Sequence, residues 1–165
     1  ILKVDKVNLF AEGDKVELNS YVNIGNGGWA GSSQVIVDNV FSSERHVSVS
    51  HSTDNGGDVA VEGIIDSLYT FTGKANVSGA WFIPGTTTEI KRTDLQIDVS
   101  AKLKEGIKGI TAEITSDSTF YQPPKMSRLV PFRVRGHLEN GIAEITEFST
   151  RNNEGETINV TAPIF

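Results

Sequence analysis

The chain has 165 residues, with 21 acidic side chains against 15 basic ones, so its formal net charge at neutral pH is −6. It contains no cysteine, which excludes a disulfide framework, a thiol nucleophile and every cysteine-based zinc site. The acidic balance argues against a nucleic-acid partner, because phosphate contacts need clustered lysine and arginine. The sequence contains no apolar run long enough to predict a membrane-spanning helix.

Val, Ile and Thr together make up more than a quarter of the sequence, and these β-branched side chains favour strands over helices. Apolar and polar side chains alternate along most of the chain, whereas the best helical window, 101–114, is interrupted by Gly106 and Gly109. The sequence therefore predicts an all-β fold of about ten antiparallel strands in largely meander order. We expect a sandwich or jelly roll, or a closed or partly closed β-barrel.

In chain order, the first strands are expected at 2–10, 15–24, 34–41, 45–51 and 58–65. A longer strand at 69–83 carries an apolar odd-numbered face that includes Trp81, so Trp81 is predicted to pack in the core. We expect one domain over residues 1–165, with a loop or crossover at 116–127 that contains a Pro-Pro pair. Since neither disulfides nor metals staple this chain, most of its aromatic and aliphatic side chains should be committed to the core.

A hairpin turn at 105–106 gives a register in which apolar residues lie opposite apolar residues and polar residues lie opposite polar residues. It pairs Ile97 with Ile114 on one face and Asp98 with Glu113 on the other. An arbitrary register would rarely match side chains this way, so the alternation itself predicts the pairing.

A second hairpin is predicted at the Asn-Gly dipeptide 140–141, the strongest short-range hairpin signal. Its register places His137 opposite Glu144 and, farther from the turn, Phe132 opposite Ser149. A last strand is expected at 156–164.

The glycine-rich segment 23–33 is a candidate ligand-binding loop. It offers Trp29 with Asn26 beside it, and Tyr21 lies on the preceding strand. A flat aromatic ring bordered by hydrogen-bonding side chains is what a sugar or peptide site needs. In the alternative interpretation, Trp29 folds back over the end of the core.

Two carboxylates, Asp54 and Asp58, flank a Gly-Gly turn and are weak candidates for a hard cation such as Ca²⁺. A plain hairpin turn explains the same segment. His46 and His51 differ by an odd number of residues, so in a regular strand they point to opposite faces and cannot share a metal.

A basic cluster near the carboxyl end is a candidate surface for an anion or an acidic partner. It consists of Lys125, Arg128, Arg133, Arg135 and His137. The alternative is a solvated sheet face balanced by acidic residues such as Glu139 and Glu144, although alternation places Glu147 on the other face.

Three functions are compatible with the sequence, and none of them requires a cofactor. The first is a non-catalytic binding or assembly module with a protein or glycan partner, as in an extracytoplasmic (secreted, periplasmic or cell-surface) or virion protein, and it is compatible with a homo-oligomer. The second is a carrier that shields an apolar small molecule or lipid in a barrel or an open β-groove. The third is a glycan-active enzyme using paired carboxylates such as Glu62 and Asp66.

Overall fold

The computed structural model describes residues 2–24, 29–82, 89–121, 129–151 and 157–160. These residues form eleven strands and one short 3-10 segment. The strands are β1 (Leu2–Glu12), β2 (Lys15–Ile24), β3 (Gly31–Asp38), β4 (Arg45–Thr53), β5 (Gly57–Ile65), β6 (Thr70–Phe82), β7 (Glu89–Lys102), β8 (Ile110–Tyr121), β9 (Val130–Glu139), β10 (Ile142–Arg151) and β11 (Thr157–Val160).

All eleven strands belong to one sheet, and their order in the sheet is their order in the chain. Every pair of neighbours is antiparallel. The predicted all-β antiparallel meander is therefore confirmed, and the sheet closes part-way into a ring, as expected for a partly closed barrel. Within the described residues, the sheet contains no crossover of the kind a jelly roll needs.

The sheet buries little of its own surface. Its accessible surface is 10770 Å², against about 8,000 Å² expected for a compact monomer of this mass. Among the described residues, the buried apolar side chains are one tryptophan and four alanines, and the largest fully buried side chain is that of Thr119. The expectation that most aliphatic and aromatic residues are committed to a core is wrong, because several large hydrophobic side chains of the described strands, such as Leu9 and Ile142, are more than half exposed.

The hairpin between β7 and β8 has the predicted register, with Ile97 opposite Ile114 and Asp98 opposite Glu113. Its connection differs from the predicted two-residue turn, because a 3-10 segment, Leu103–Gly109, joins the two strands. Gly106 has φ +61° inside this segment, a conformation that glycine adopts without steric cost.

The hairpin between β9 and β10 follows the predicted register only near its turn. His137 faces Glu144 as expected, but a bulge at Thr146 then inserts one extra residue into β10. The predicted pairing of Phe132 with Ser149 is wrong, since Phe132 faces Thr150. A bulge reverses the facing of every residue beyond it, and strict alternation cannot foresee where one occurs.

Two predicted boundaries also move. The third strand was expected at 34–41 but begins at Gly31 and ends at Asp38. The loop expected from Ser116 begins later, because β8 continues to Tyr121; residues 122–128 lie outside the described residues. Among the described residues, no helix has the length and apolar character to cross a membrane.

Candidate functional site

The sheet is amphipathic, and its register shows this directly, because residues directly opposite each other on paired strands share a face. One row of apolar residues crosses ten strands without a polar interruption. In order from β1 to β10, its members are Leu9, Leu18, Val35, Val49, Val61, Ala75, Ile97, Ile114, Gly136 and Ile145.

A second apolar row runs beside the first, two residues away from it on each strand. Its members are Ala11, Val16, Val37, Val47, Gly63, Gly73, Val99, Ala112, Leu138 and Ala143. The side of the sheet that carries these two rows is called the apolar face. At about 4.8 Å between strands, each row is about 43 Å long.

The opposite side, called the polar face, carries charged and hydroxyl side chains. Between the two apolar rows it presents Phe10, Glu17, Ile36, Ser48, Glu62, Lys74, Asp98, Glu113, His137 and Glu144. Lys74 approaches Asp98 at 3.6 Å, which offsets the like-charged pairing of Asp98 with Glu113. The polar face is therefore the solvated side of the sheet.

Two large aromatic side chains of the apolar face, Phe71 and Trp81, lie over glycines. A Cβ at Gly63 would come within 2.5 Å of the Phe71 ring, and a Cβ at Gly73 within 2.6 Å. Trp81 covers Gly57 in the same way, with Cε2 at 2.6 Å from the position of a Cβ. The two rings therefore lie close against the backbone, and they project little above the apolar face.

One imidazole interrupts the aliphatic character of this face beside the first row. His51 Nδ1 lies 2.7 Å from Ser33 Oγ, and among the described residues His51 Nε2 is enclosed without a hydrogen-bond partner. His46 lies on the polar face, opposite Ile64. The prediction that His46 and His51 point to opposite faces is therefore confirmed.

Trp29 folds back against the sheet. Its ring centroid lies 5.0 Å from that of Trp81, in an edge-to-face arrangement with an interplanar angle of 67°. Trp81 is 6% exposed, as predicted for a packed residue, and its indole N–H donates to the Ser78 carbonyl at 2.7 Å. Asn26, the third residue of the predicted ligand loop, lies outside the described residues.

Tyr21 lies on the polar face, opposite Ser32. Its hydroxyl donates a short hydrogen bond to a carboxylate oxygen of Asp54. This hydrogen bond, together with desolvation and the negative charge of Asp54, raises the pKa of Tyr21 above its usual value of 10.0. The Lys6 ammonium lies 6.0 Å from the centre of the Tyr21 ring, within the range of a weak cation–π contact.

A shallow depression of about 490 Å³ opens beside Tyr21. It is lined largely by hydroxyl and amide side chains, including Asn19, Ser32, Gln34, Ser50 and Ser52. The structure thus surrounds the predicted contact residue Tyr21 with hydrogen-bonding groups, but it places Trp29 against Trp81.

Glu17 forms hydrogen bonds with two of the polar side chains that line this depression, Asn19 and Gln34. Its carboxylate accepts hydrogen bonds from Asn19 at 2.7 Å and from Gln34 at 3.0 Å, and Lys15 lies 3.7 Å away. These donors stabilise the charged form, and they hold the pKa of Glu17 below its usual value of 4.5.

The candidate cation site at 54–58 is a tight hairpin turn between β4 and β5. Thr53 closes it by accepting N–H bonds from Gly56 and Gly57, and Gly56 adopts φ +86°. Asp54 is engaged with Tyr21, and Asp58 lies in β5 opposite Ser52. No three metal-ligating side chains come together within the described part of the chain.

The basic cluster on β9 faces carboxylates. Arg133 contacts Asp117 at 3.0 Å, Arg135 contacts Glu147 at 3.3 Å, and His137 Nε2 lies 3.3 Å from Glu144. The bulge at Thr146 brings Glu147 to this face, so its predicted location on the other face is wrong. Arg128 and Lys125 lie outside the described residues.

The carboxylates suggested for glycan hydrolysis have separate surroundings. Asp66 Oδ1 accepts the backbone N–H groups of Leu68 and Thr70, and so it closes the turn between β5 and β6. Glu62 lies on the polar face opposite Lys74. Asp66 is thus engaged by the backbone of its own turn.

Comparison of the sequence with models of protein families, with curated proteins and with solved structures finds no match in any of the three.

Sequence reasoning missed the continuity of the apolar rows across the sheet. Alternation within each strand is visible in the sequence, and two hairpin registers could be derived from it. The alignment of all ten strands depends on turn lengths and bulges, which alternation does not encode. The signal that could have revealed the rows is the repeated pairing of apolar with apolar residues from one hairpin to the next.

Proposed function

We propose that this chain is a non-catalytic binding module whose apolar face binds the hydrocarbon portion of an amphiphile such as a fatty acid. The observation that carries the proposal is the pair of apolar rows across ten strands, most of whose described side chains are only half-buried. The proposal corresponds to the open β-groove expected for a lipid carrier.

The driving force would be burial of hydrocarbon against these rows. Residues such as Val35, Val61 and Ile97 are only half-buried, so they retain apolar surface that a bound chain can remove from water. Each methylene group of a ligand that becomes buried contributes about 0.8 kcal/mol. The low relief made by alanine, valine and glycine suits an extended chain better than a bulky, rigid ligand.

The other ligands considered receive less support. A sugar or peptide site built around Trp29 would need an open ring, whereas Trp29 packs edge-to-face on Trp81. An anion site on β9 would need uncompensated cations, but Arg133, Arg135 and His137 each contact a carboxylate. Neither surface approaches the extent of the apolar face.

Titration with the fluorescent fatty acid cis-parinaric acid tests the proposal. Two adjacent positions of β5 provide a matched pair, because Val61 lies on the apolar face and Ala60 on the polar face. We expect the native chain to bind with a dissociation constant on the order of micromolar. Val61→Glu should weaken binding at least tenfold, whereas Ala60→Glu should change it less than about twofold.

Circular dichroism of both variants establishes that they remain folded. If Val61→Glu fails to fold, Ile97→Ser probes the same row with a milder change, and we expect weaker binding from it as well. The proposal fails if the native chain does not bind the fatty acid. It also fails if folded apolar-face variants bind as tightly as the native chain.

A further inference from the structure

The first strand, β1, forms one edge of the sheet, and it pairs only with β2 among the described strands. Among the described residues, no strand pairs with its outer backbone N–H and C=O groups. Such an edge is a template for a further strand. At eleven residues, β1 is also longer than the short edge strands by which proteins usually limit this hazard.

Large apolar side chains are exposed along β1 to an unusual degree. Val4 is 49% exposed, Val7 57%, Leu9 67% and Phe10 60%. Leu9 lies on the apolar face and Phe10 on the polar face, so the exposure affects both sides of the strand. A strand added at this edge would cover both side chains laterally.

A bulge between Asp5 and Asn8 determines which residues of β1 share a face. Because one extra residue is inserted there, Lys3 and Asp5 share the polar face with Phe10 and Glu12 despite their different parity. An antiparallel pairing that overlaps most of β1 with a second β1 joins the arm before the bulge to the arm after it, and the faces then match when the paired residue numbers differ in parity.

One such register spans ten residues of each strand, matches the faces outside the bulge and sets opposite charges at its ends. It places Lys3 opposite Glu12 of the second copy, Val4 opposite Ala11 and Asp5 opposite Phe10. Moving the register by two residues in one direction sets Asp5 against Glu12, which is repulsive; moving it in the other direction leaves Lys3 without an opposite charge. By two-fold symmetry, the favoured register makes the Lys3–Glu12 contact twice.

We propose that β1 is a homodimerisation edge, at which two copies pair antiparallel with Lys3 of each opposite Glu12 of the other. The two-fold axis is normal to the sheet at the bulge. Both apolar faces then lie on the same side, and the apolar rows continue from one copy into the next. This inference concerns assembly and does not depend on what the apolar face binds.

Sedimentation over a concentration series from about 1 to 500 µM tests the pairing. The native chain, of mass 17.9 kDa, should pass from monomer to dimer within this range. Lys3→Glu and Glu12→Lys should each weaken the dimer at least tenfold, because each sets like charges opposite twice. The double variant Lys3→Glu/Glu12→Lys should recover the native association within about threefold.

Lys74→Glu is the matched control, since it reverses a charge on the polar face far from the edge, and it should leave association unchanged. A chain that stays monomeric throughout the range overturns the proposal. So does a dimer whose association is unaffected by the single charge reversals, or one that the double reversal does not restore.

The absence of native cysteine permits a second test of the same register. In Asp5→Cys/Phe10→Cys, each thiol faces the other position of the second copy, and oxidation should give a disulfide-linked dimer. Within one chain the two positions lie on the same strand, about 15 Å apart, too far for a disulfide. Val4→Cys/Phe10→Cys places the thiols on opposite faces and should not cross-link; equal cross-linking of both variants would overturn the register.

Discussion

Tyr21 and Asp54 are 33 residues apart in the chain, yet the tyrosine hydroxyl donates to the aspartate carboxylate. The bond connects β2 to the turn between β4 and β5 across the width of β3 and β4. Sequence reasoning assigned the two residues to different sites, one to a ligand loop and one to a cation. Their contact instead fixes the end of the turn against the polar face.

This contact predicts a pH dependence at alkaline pH. The pKa of Tyr21 is raised above 10.0 in the folded protein, so the stability that the bond contributes is present below pH 10 and is lost as the pH rises through the raised pKa. Ultraviolet absorbance of the phenolate, taken as the difference between the native chain and Tyr21→Phe, should show one tyrosine ionising late. Asp54→Asn should return that ionisation toward the usual value.

The control is a titration of the unfolded chain in urea, in which all three tyrosines should ionise together. A difference spectrum with an ordinary tyrosine midpoint would contradict the prediction, as would an Asp54→Asn variant that leaves the midpoint where it is in the native chain.

Glu17 predicts the opposite pH dependence at the acidic end. Its pKa is lowered from 4.5 by hydrogen bonds from Asn19 and Gln34, so its contribution to stability is present above pH 4.5 and is lost as the pH falls through the lowered pKa. Thermal unfolding followed across this range should show a smaller acid-induced fall in Tm for Glu17→Gln than for the native chain. Glu62→Gln is the control for loss of a carboxylate from the polar face. Identical pH profiles for Glu17→Gln and the native chain would count against this role.

The sequence predicts those features of the fold that depend on alternation and turn chemistry. The register of Ile97 with Ile114 follows from matched faces, and the Asn-Gly turn correctly predicts His137 opposite Glu144. In both hairpins, the turn and the alternation of apolar and polar residues together determine which residues lie opposite each other. For the same reason, the all-β class and the meander order could be predicted before any coordinates.

The sequence does not reveal features that arise from an added residue or from the environment of the whole sheet. The bulge at Thr146 has no sequence signature, yet it moves Glu147 to Arg135. The incomplete burial of the apolar face in the described strands is a property of the assembled sheet. A strand that alternates apolar and polar residues looks the same whether its apolar side meets a core or is left open.

Deletion of Thr146 tests whether the bulge stabilises the sheet beyond the pairings around it. Without the extra residue, Glu147 follows Ile145 directly, so a regular strand keeps Glu147 opposite Arg135 and Phe148 on the face of Phe132, with which it stacks at 5.7 Å. We expect the free energy of unfolding to change by less than about 1 kcal/mol, measured by urea denaturation. Thr146→Ala keeps the bulge at an exposed position and should change stability by less than about 0.5 kcal/mol. A deletion variant that is less stable than Thr146→Ala by about 2 kcal/mol or more would mean that the bulge itself stabilises the sheet.

Trp29→Ala distinguishes a packing role for this loop residue from a role in ligand binding. The chain has two tryptophans, so the variant leaves Trp81 as the sole indole reporter. Trp81 keeps Gly57 beneath it and its N–H bond to Ser78, and it should therefore stay in place but lose its edge-to-face cover. We expect a severalfold rise in acrylamide quenching of Trp81 and a loss of about 1–2 kcal/mol in the free energy of unfolding.

Trp29→Phe retains an aromatic edge over Trp81 and should recover most of both losses, because the contact needs a ring rather than an indole N–H. Loss of binding on a glycan array, with quenching and stability unchanged, would instead assign Trp29 to a ligand. The two outcomes are separable because one changes the environment of Trp81 and the other does not. We expect the packing role, because the Trp29 ring already contacts the Trp81 ring, with the two centroids 5.0 Å apart.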